Sequence, residues 1–163
     1  MPAAAPDARA STLGRGRRAV FVAMKEDEEG RVAVFFYGLF MDESLLREKG
    51  LSPEGRRPAR VENFRLVIGE RATLAPREGG EVHGVLFSLT RGEVDALYSE
   101  ESVSAYRPEA VCAQLADGTA VPALCFNLPA PPAEGVRNPL YASKLRKLAA
   151  RLGLPNDYVT SIR

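Results

Sequence analysis

Apolar residues in this chain form short runs, some with the period of a strand and some with that of a helix. Alternating or continuous apolar stretches predict strands at 31–37, 58–68 and 82–89. An extended segment at 70–76 is predicted to close in a turn at Gly79-Gly80. The last strands, 106–115 and 119–128, flank Asp117-Gly118, which predicts a hairpin.

Helix signals separate these strands. Asp42 precedes a short apolar pair and is predicted to cap a short helix, and Thr90-Arg91-Gly92-Glu93 matches a capping box. Asn138-Pro139 places proline at the first position of the longest predicted helix, which ends at Gly153. The apolar stripe predicted for this helix is Leu140, Leu145, Leu148, Ala149 and Leu152.

The last hairpin carries the strongest indication of architecture. A two-residue turn at Asp117-Gly118 would place Cys112 opposite Ala123 and leave Cys125 too far from Cys112 for a disulfide. In that register both faces of the hairpin are largely apolar. Strands buried on both sides fit a barrel covered by helices better than a one-sided sheet.

Residues 1–30 show little periodicity and are predicted to be a loosely ordered leader, with one candidate strand at 19–23. Residues 31–163 are predicted to form a single domain. The net charge of +1 gives no support for nucleic acid or an acidic membrane as a partner. No apolar run reaches the roughly 20 residues of a membrane helix, and no secretory signal is evident, so a cytoplasmic location is expected.

The sequence lacks the usual signatures of cofactor and metal chemistry. It has no Walker loop, no Rossmann glycine fingerprint and no HExxH motif. One histidine and two cysteines do not form a zinc site, so no metal and no cofactor are expected. His83 lies between apolar strand residues, which favours a half-buried strand histidine over a catalytic one.

Three features remain as candidate chemistry. Tyr37-Gly38-Leu39-Phe40 follows an apolar strand, where backbone N–H groups can turn toward a ligand. Glu100 and Glu101 lie in a polar loop after a short predicted helix, and Tyr106 opens the next strand. Each has a plain structural explanation: a turn glycine, a pair of solvated charges and a core aromatic residue, respectively.

The order of these pieces resembles the gamma-glutamylcyclotransferase-like superfamily. The resemblance rests on the Tyr37–Phe40 loop, the strand Val82-His83-Gly84-Val85-Leu86-Phe87, and the segment 97–106 that joins a short helix, two glutamates and a tyrosine. The final hairpin and the end helix with 153–158 also match, so the resemblance runs from about residue 31 to the C-terminus. It implies an α+β fold, a small mixed β-barrel with flanking short helices and a pocket at one mouth.

The resemblance also implies a reaction. Such enzymes cleave a γ-glutamyl amide by attack of the substrate's own α-amine, releasing 5-oxoproline and a free amine or amino acid. Because that amine is protonated at neutral pH, a carboxylate must first accept its proton and later return one to the leaving nitrogen. The implied ligand is a small γ-glutamyl compound, and neither metal nor cofactor is needed. Tyr37, Gly38, Leu39, Phe40 and Tyr106 would bind it.

Two questions stay open at this level. Counting forward from Leu97 selects Glu101 as the base, whereas counting back from Tyr106 selects Glu100, which is the slightly favoured choice. Leu39 and Phe40 are bulkier than the small or polar residues usual after Tyr-Gly in the superfamily, which leaves a non-catalytic binding module on the same barrel as the alternative. Arg71 could pair with a ligand carboxylate, although an ordinary ion pair is the favoured interpretation.

Overall fold

Five strands close into one barrel in the order β1-β3-β2-β4-β5. The computed structural model describes Glu26 and residues 30–163. The strands are β1 (Arg31–Phe36), β2 (Glu54–Ile68), β3 (Ala72–Thr90), β4 (Arg107–Gln114) and β5 (Ala120–Asn127). The helices are α1 (Glu43–Glu48), α2 (Arg91–Leu97), α3 (Pro139–Arg151) and α4 (Asn156–Ser161). Two short 3₁₀ turns, Leu39–Met41 and Glu101–Val103, complete the elements.

The barrel is mixed because one of its five pairings is parallel. β1 and β5 run parallel at Val34 and Leu124, while the other four neighbouring pairs are antiparallel. Because the sheet is closed, each strand can bury one row of side chains inside the barrel. The α+β fold, a small mixed barrel with flanking short helices, is confirmed.

β2 and β3 form one long hairpin, which corrects the prediction of a turn at Gly79-Gly80. The chain reverses instead at residues 69–71, where Ile68 pairs with Ala72. Gly79-Gly80 lies within β3 beside a register shift, and the Gly79 N–H donates to Oδ1 of Asn63, a residue with φ of 69°. The Gly79-Gly80 pair therefore marks a bulge rather than a turn, because glycine occurs in both.

The register of the β4–β5 hairpin also differs from the prediction. Cys112 pairs with Pro122 rather than Ala123, a shift of one residue. The cause is a three-residue loop at 116–118: the Leu115 N–H donates to the Thr119 carbonyl, and Gly118 has φ of 89°. A turn followed by a left-handed glycine is the common geometry of such loops, and Asp-Gly occurs in it as well as in two-residue turns.

The predicted caps are confirmed. The Asp42 carboxylate accepts from the Ser44 N–H to start α1, and Thr90 and Glu93 form a reciprocal capping box on α2. Asn138 caps α3 through the Tyr141 N–H. One member of the predicted α3 stripe is misplaced, since Leu140 is 67% exposed and Ala142 is buried instead. At the first turn of α3 the buried face has therefore shifted from the predicted stripe.

The predicted leader lies almost wholly outside the described residues, as does the candidate strand at 19–23. Its boundary at residue 30 therefore stays a prediction. Among the described residues, no helix combines the length and the apolar character needed to cross a membrane.

The two cysteines differ in their chemical environment, which leads to a first prediction. Both are free; Cys112 is exposed on β4, whereas Cys125 is buried in β5. Burial raises the pKa of the Cys125 thiol, and the nearby Glu109 carboxylate raises it further. We expect a thiol reagent to label Cys112 rapidly in the native protein and Cys125 only after denaturation. Peptide mass spectrometry after timed alkylation would measure both, and equal labelling rates would contradict the buried position of Cys125.

Candidate functional site

The Tyr37–Phe40 segment leaves β1 at the mouth of the barrel and turns directly into a 3₁₀ turn. Gly38 has an ordinary extended backbone, so a turn conformation does not explain its presence. A Cβ added there would lie 2.8 Å from the Tyr141 hydroxyl, which accepts a long hydrogen bond of 3.4 Å from the Leu39 N–H. Glycine at this position therefore allows α3 to pack its tyrosine hydroxyl against the loop.

A cavity opens beside this loop. Its walls are largely aromatic, and they come from the ends of β1 and β5, the α2–β4 connection and α3. Its volume is about 50 Å³, which exceeds the minimum needed to hold one water molecule. The lining residues are Phe35, Phe36, Tyr37, Gly38, Leu39, Phe40, Arg71, Ala72, Tyr98, Val103, Tyr106, Phe126 and Tyr141.

The rings of the wall contact one another closely. Tyr98 stacks on Phe126 with centroids 3.8 Å apart, and Phe40 meets Tyr98 edge-on at 6.0 Å. Such contacts fix ring orientations and contribute about 0.5–1.5 kcal/mol per pair beyond their burial. The aromatic contacts therefore hold the cavity wall in a defined shape, and Phe40 is a partly exposed ring of that wall.

Beneath the cavity lies a buried polar cluster centred on Asn127. The Tyr37 hydroxyl is 2.6 Å from the Phe126 carbonyl oxygen and 2.9 Å from Asn127 Oδ1. Asn127 Oδ1 also accepts from the Leu74 N–H, and its Nδ2 donates to Glu109 at 2.7 Å. One side chain thus links β1, β3 and β4 to β5 and holds Tyr37 in place.

Two further tyrosine hydroxyls reach the cavity near Ala72. Tyr106 donates to the Ala72 carbonyl. Burial raises the pKa of Tyr106, and Tyr141 raises it further, while the Arg71 charge opposes the shift. Burial also raises the pKa of Tyr141, despite opposing contributions from hydrogen bonds to Leu39 and Ala72 and from Arg71. Both hydroxyls are therefore neutral at physiological pH, and Arg71 is the one charged side chain among the described lining residues.

The structure brings five of the seven predicted site residues together. Tyr37, Gly38, Leu39, Phe40 and Tyr106 all line the cavity. Tyr106 is also buried in the core, which fits the structural explanation, and its role in binding stays a prediction.

Glu100 and Glu101 do not line the cavity. Glu100 forms an ion pair with Lys49 at 2.8 Å, and Glu101, itself exposed, begins the 3₁₀ turn Glu101–Val103. They nevertheless follow Tyr98 and precede Val103, both of which line the cavity. The acidic loop therefore borders the cavity wall, while neither of its carboxylates belongs to the described lining.

Sequence reasoning missed Tyr98, Tyr141 and Asn127. Tyr98 directly follows α2 and Tyr141 lies in the first turn of α3, and aromatic residues at such positions are usually assigned to the core. Asn127 offered a usable signal, because an amide at the end of an apolar strand needs buried partners.

The described residues contain no group of three or more histidine, cysteine, aspartate or glutamate side chains that could hold a metal ion.

Comparisons with known proteins agree with this architecture. A family model described as "Gamma-glutamyl cyclotransferase, AIG2-like" matches residues 34–144. A solved structure named "Gamma-glutamyl cyclotransferase" is 18% identical with a TM-score of 0.67, covering 82% of this chain and 88% of that chain. An uncharacterized protein from Homo sapiens is 20% identical with a TM-score of 0.65, covering 82% and 89%.

YkqA from Bacillus subtilis is 21% identical with a TM-score of 0.67, covering 88% of this chain and 56% of that chain. A search of curated proteins gave no match. At these identities the solved structures establish a shared fold, and the family model spans more than half of the chain, from β1 into α3. This protein belongs to the gamma-glutamyl cyclotransferase, AIG2-like family.

Proposed function

We propose that this protein is a gamma-glutamyl cyclotransferase-type enzyme that releases 5-oxoproline and a free amine or amino acid from a small γ-glutamyl compound. The observation that carries the proposal is the cavity bounded by the Tyr37–Phe40 loop and by the segment from Tyr98 to Tyr106. The family assignment supports the same reaction class. The free thiols of Cys112 and Cys125 are compatible with the reducing cytoplasm, where we place the enzyme.

The substrate supplies its own nucleophile. Its α-nitrogen loses a proton and attacks the γ-carbonyl carbon, so a C–N bond closes the five-membered lactam. The former amide C–N bond then breaks, and the leaving nitrogen takes up a proton. Holding the chain folded inside a small cavity favours this ring closure, because the reacting atoms are already close.

The Leu39 N–H would assist the reaction. Its bond to the Tyr141 hydroxyl is 3.4 Å long and therefore weak, so a ligand oxygen can replace it. A backbone N–H donor aimed at the developing oxyanion stabilises the tetrahedral intermediate.

The proton carrier would come from the loop that holds Glu100 and Glu101. A carboxylate must reach hydrogen-bond distance of the substrate amine, and catalytic contacts are often formed only in the substrate complex. Glu100 would have to leave Lys49, whereas Glu101 is exposed and has no such partner among the described residues.

A non-catalytic binding module is the second candidate function. The observation that favours it is the absence of any carboxylate from the described lining of the cavity. Such a module would use the same aromatic walls to hold a small ligand without turning it over.

The direct test is to incubate the purified protein with a panel of γ-glutamyl amines, γ-glutamyl amino acids and glutathione. We expect 5-oxoproline and the free amine to appear in equal amounts, measured by mass spectrometry. Glutamate instead of 5-oxoproline would indicate hydrolysis and contradict the cyclisation. Saturable binding without product across the panel would support the binding module.

A further inference from the structure

Arg71 lies at the place, called the neck below, where the aromatic cavity and an outer depression share lining residues. It occupies the three-residue turn between β2 and β3, and it lines both spaces together with Leu39 and Tyr141. The outer depression is completed by Glu70, Asn138, Leu140 and Lys144. Arg71 therefore borders both spaces.

The turn that carries Arg71 is fixed on two sides. The Gly69 N–H donates to the Arg71 carbonyl at 3.0 Å, and Asn138 Nδ2 donates to the Glu70 carbonyl at 2.9 Å. Asn138 also caps α3, so the turn is tied to the helix that bears Tyr141. The position of the Arg71 backbone at the neck is therefore set by the fold.

The Arg71 guanidinium has no counter-charge among the described residues. Within the described part of the chain, no carboxylate lies at ion-pair distance and no acceptor bonds the side chain. Two other half-buried arginines differ sharply: Arg31 contacts Glu54 and Glu93, and Arg60 contacts Glu81 and Gln114. A half-buried cation normally has an anionic partner, and the ordinary ion pair expected for Arg71 is absent from these residues.

The surroundings select the kind of anion that would complete the site. The neighbouring hydroxyls of Tyr106 and Tyr141 are neutral, and the remaining walls are rings and aliphatic groups. On the cavity side, a single cation beside flat apolar walls suits a small ligand with one carboxylate. A guanidinium binds a carboxylate through two parallel N–H···O bonds, which gives geometric selectivity as well as attraction.

We propose that Arg71 is the specificity residue of this site and binds the carboxylate of a small monocarboxylate ligand. This inference rests on the proposed function: the carboxylate belongs to the γ-glutamyl head of the substrate and remains on 5-oxoproline after cyclisation. Arg71 then holds the ligand by its carboxylate while the γ-carbonyl approaches the Tyr37–Phe40 loop.

The test compares 5-oxoproline with its neutral carboxamide, which has the same ring. Calorimetric titration of the parent protein should give at least a tenfold lower Kd for the acid. Arg71→Gln should abolish this preference. Arg71→Lys should retain only part of it, because lysine keeps the positive charge but cannot form the two parallel hydrogen bonds of a guanidinium. Arg57→Gln is the matched control, since Arg57 is an exposed β2 arginine outside the cavity and should leave the preference unchanged.

Two outcomes overturn the proposal: a parent that binds the acid no better than the amide, and an Arg71→Gln protein that is folded by circular dichroism yet keeps the preference. The proposed cyclotransferase activity can be refuted independently of the role of Arg71. If γ-glutamyl turnover is measurable and KM is unchanged in Arg71→Gln, the cyclotransferase stands and the role of Arg71 is refuted. If no substrate is turned over but the acid binds through Arg71, the specificity role stands and the binding module is favoured.

Discussion

Replacing the base of the acidic loop by glutamine is expected to lower kcat/KM for a γ-glutamyl substrate by roughly 10²–10⁴-fold. Glutamine keeps the size of the side chain but cannot accept the proton of the substrate ammonium. Glu100→Gln and Glu101→Gln would each be assayed by 5-oxoproline release, together with the double variant. The double variant should show the full loss, and one of the single variants should account for nearly all of it.

Two controls make this result specific. Glu48→Gln removes a nearby exposed acid outside the cavity lining and should retain parent activity. Lys49→Met frees Glu100 from its 2.8 Å ion pair, so it should raise kcat if Glu100 is the base and leave kcat unchanged if Glu101 is. Parent-like activity in the double glutamine variant would remove both residues from the mechanism.

Asn127→Ala is expected to destabilise the protein by about 2–3 kcal/mol, because buried polar partners lose their hydrogen bonds and a cavity forms. Asn127 is only 5% exposed and bonds the Leu74 N–H, Glu109 and Tyr37. The Leu74 N–H would be left without this acceptor. Urea unfolding followed by circular dichroism would measure the change in the free energy of unfolding.

Asn127→Leu separates the two causes of this loss. Leucine fills the space but offers no acceptor, so a similar loss of stability would assign the effect to the hydrogen bonds. Glu109→Gln keeps an acceptor for Asn127 Nδ2 and should cost far less. A stability within error of the parent for both Asn127 variants would contradict the structural importance of the cluster.

Local chemistry made much of this fold predictable. Asp42, Thr90 and Asn138 are capping residues whose partners lie within a few positions, so sequence alone located three helix starts. The hairpin errors have a different origin. Gly79 and Gly118 both adopt left-handed backbone, but whether that produces a turn, a bulge or a three-residue loop depends on the partner strand.

Site residues at the end of a strand could be predicted from the sequence. Site residues whose position depends on the packing of helices against the barrel could not. Tyr37–Phe40 could be found because an apolar strand stops there. The contributions of Tyr98 and Tyr141 come from helices whose relation to the barrel is set by long-range contacts. That Arg71 has no carboxylate partner within residues 30–163 could likewise not be predicted from the sequence, since it depends on which carboxylates the fold places far from it.

The parallel contact between β1 and β5 carries an implication for how the chain acquires its site. β2–β3 and β4–β5 are neighbours in sequence and can pair early, whereas Val34 meets Leu124 only after a long loop of chain has closed. The cavity straddles this seam, with Phe36 on one side and Phe126 on the other. Ligand-binding capacity is therefore expected to be the last property gained in folding. It is also expected to be the first lost when the barrel opens, while both hairpins remain intact.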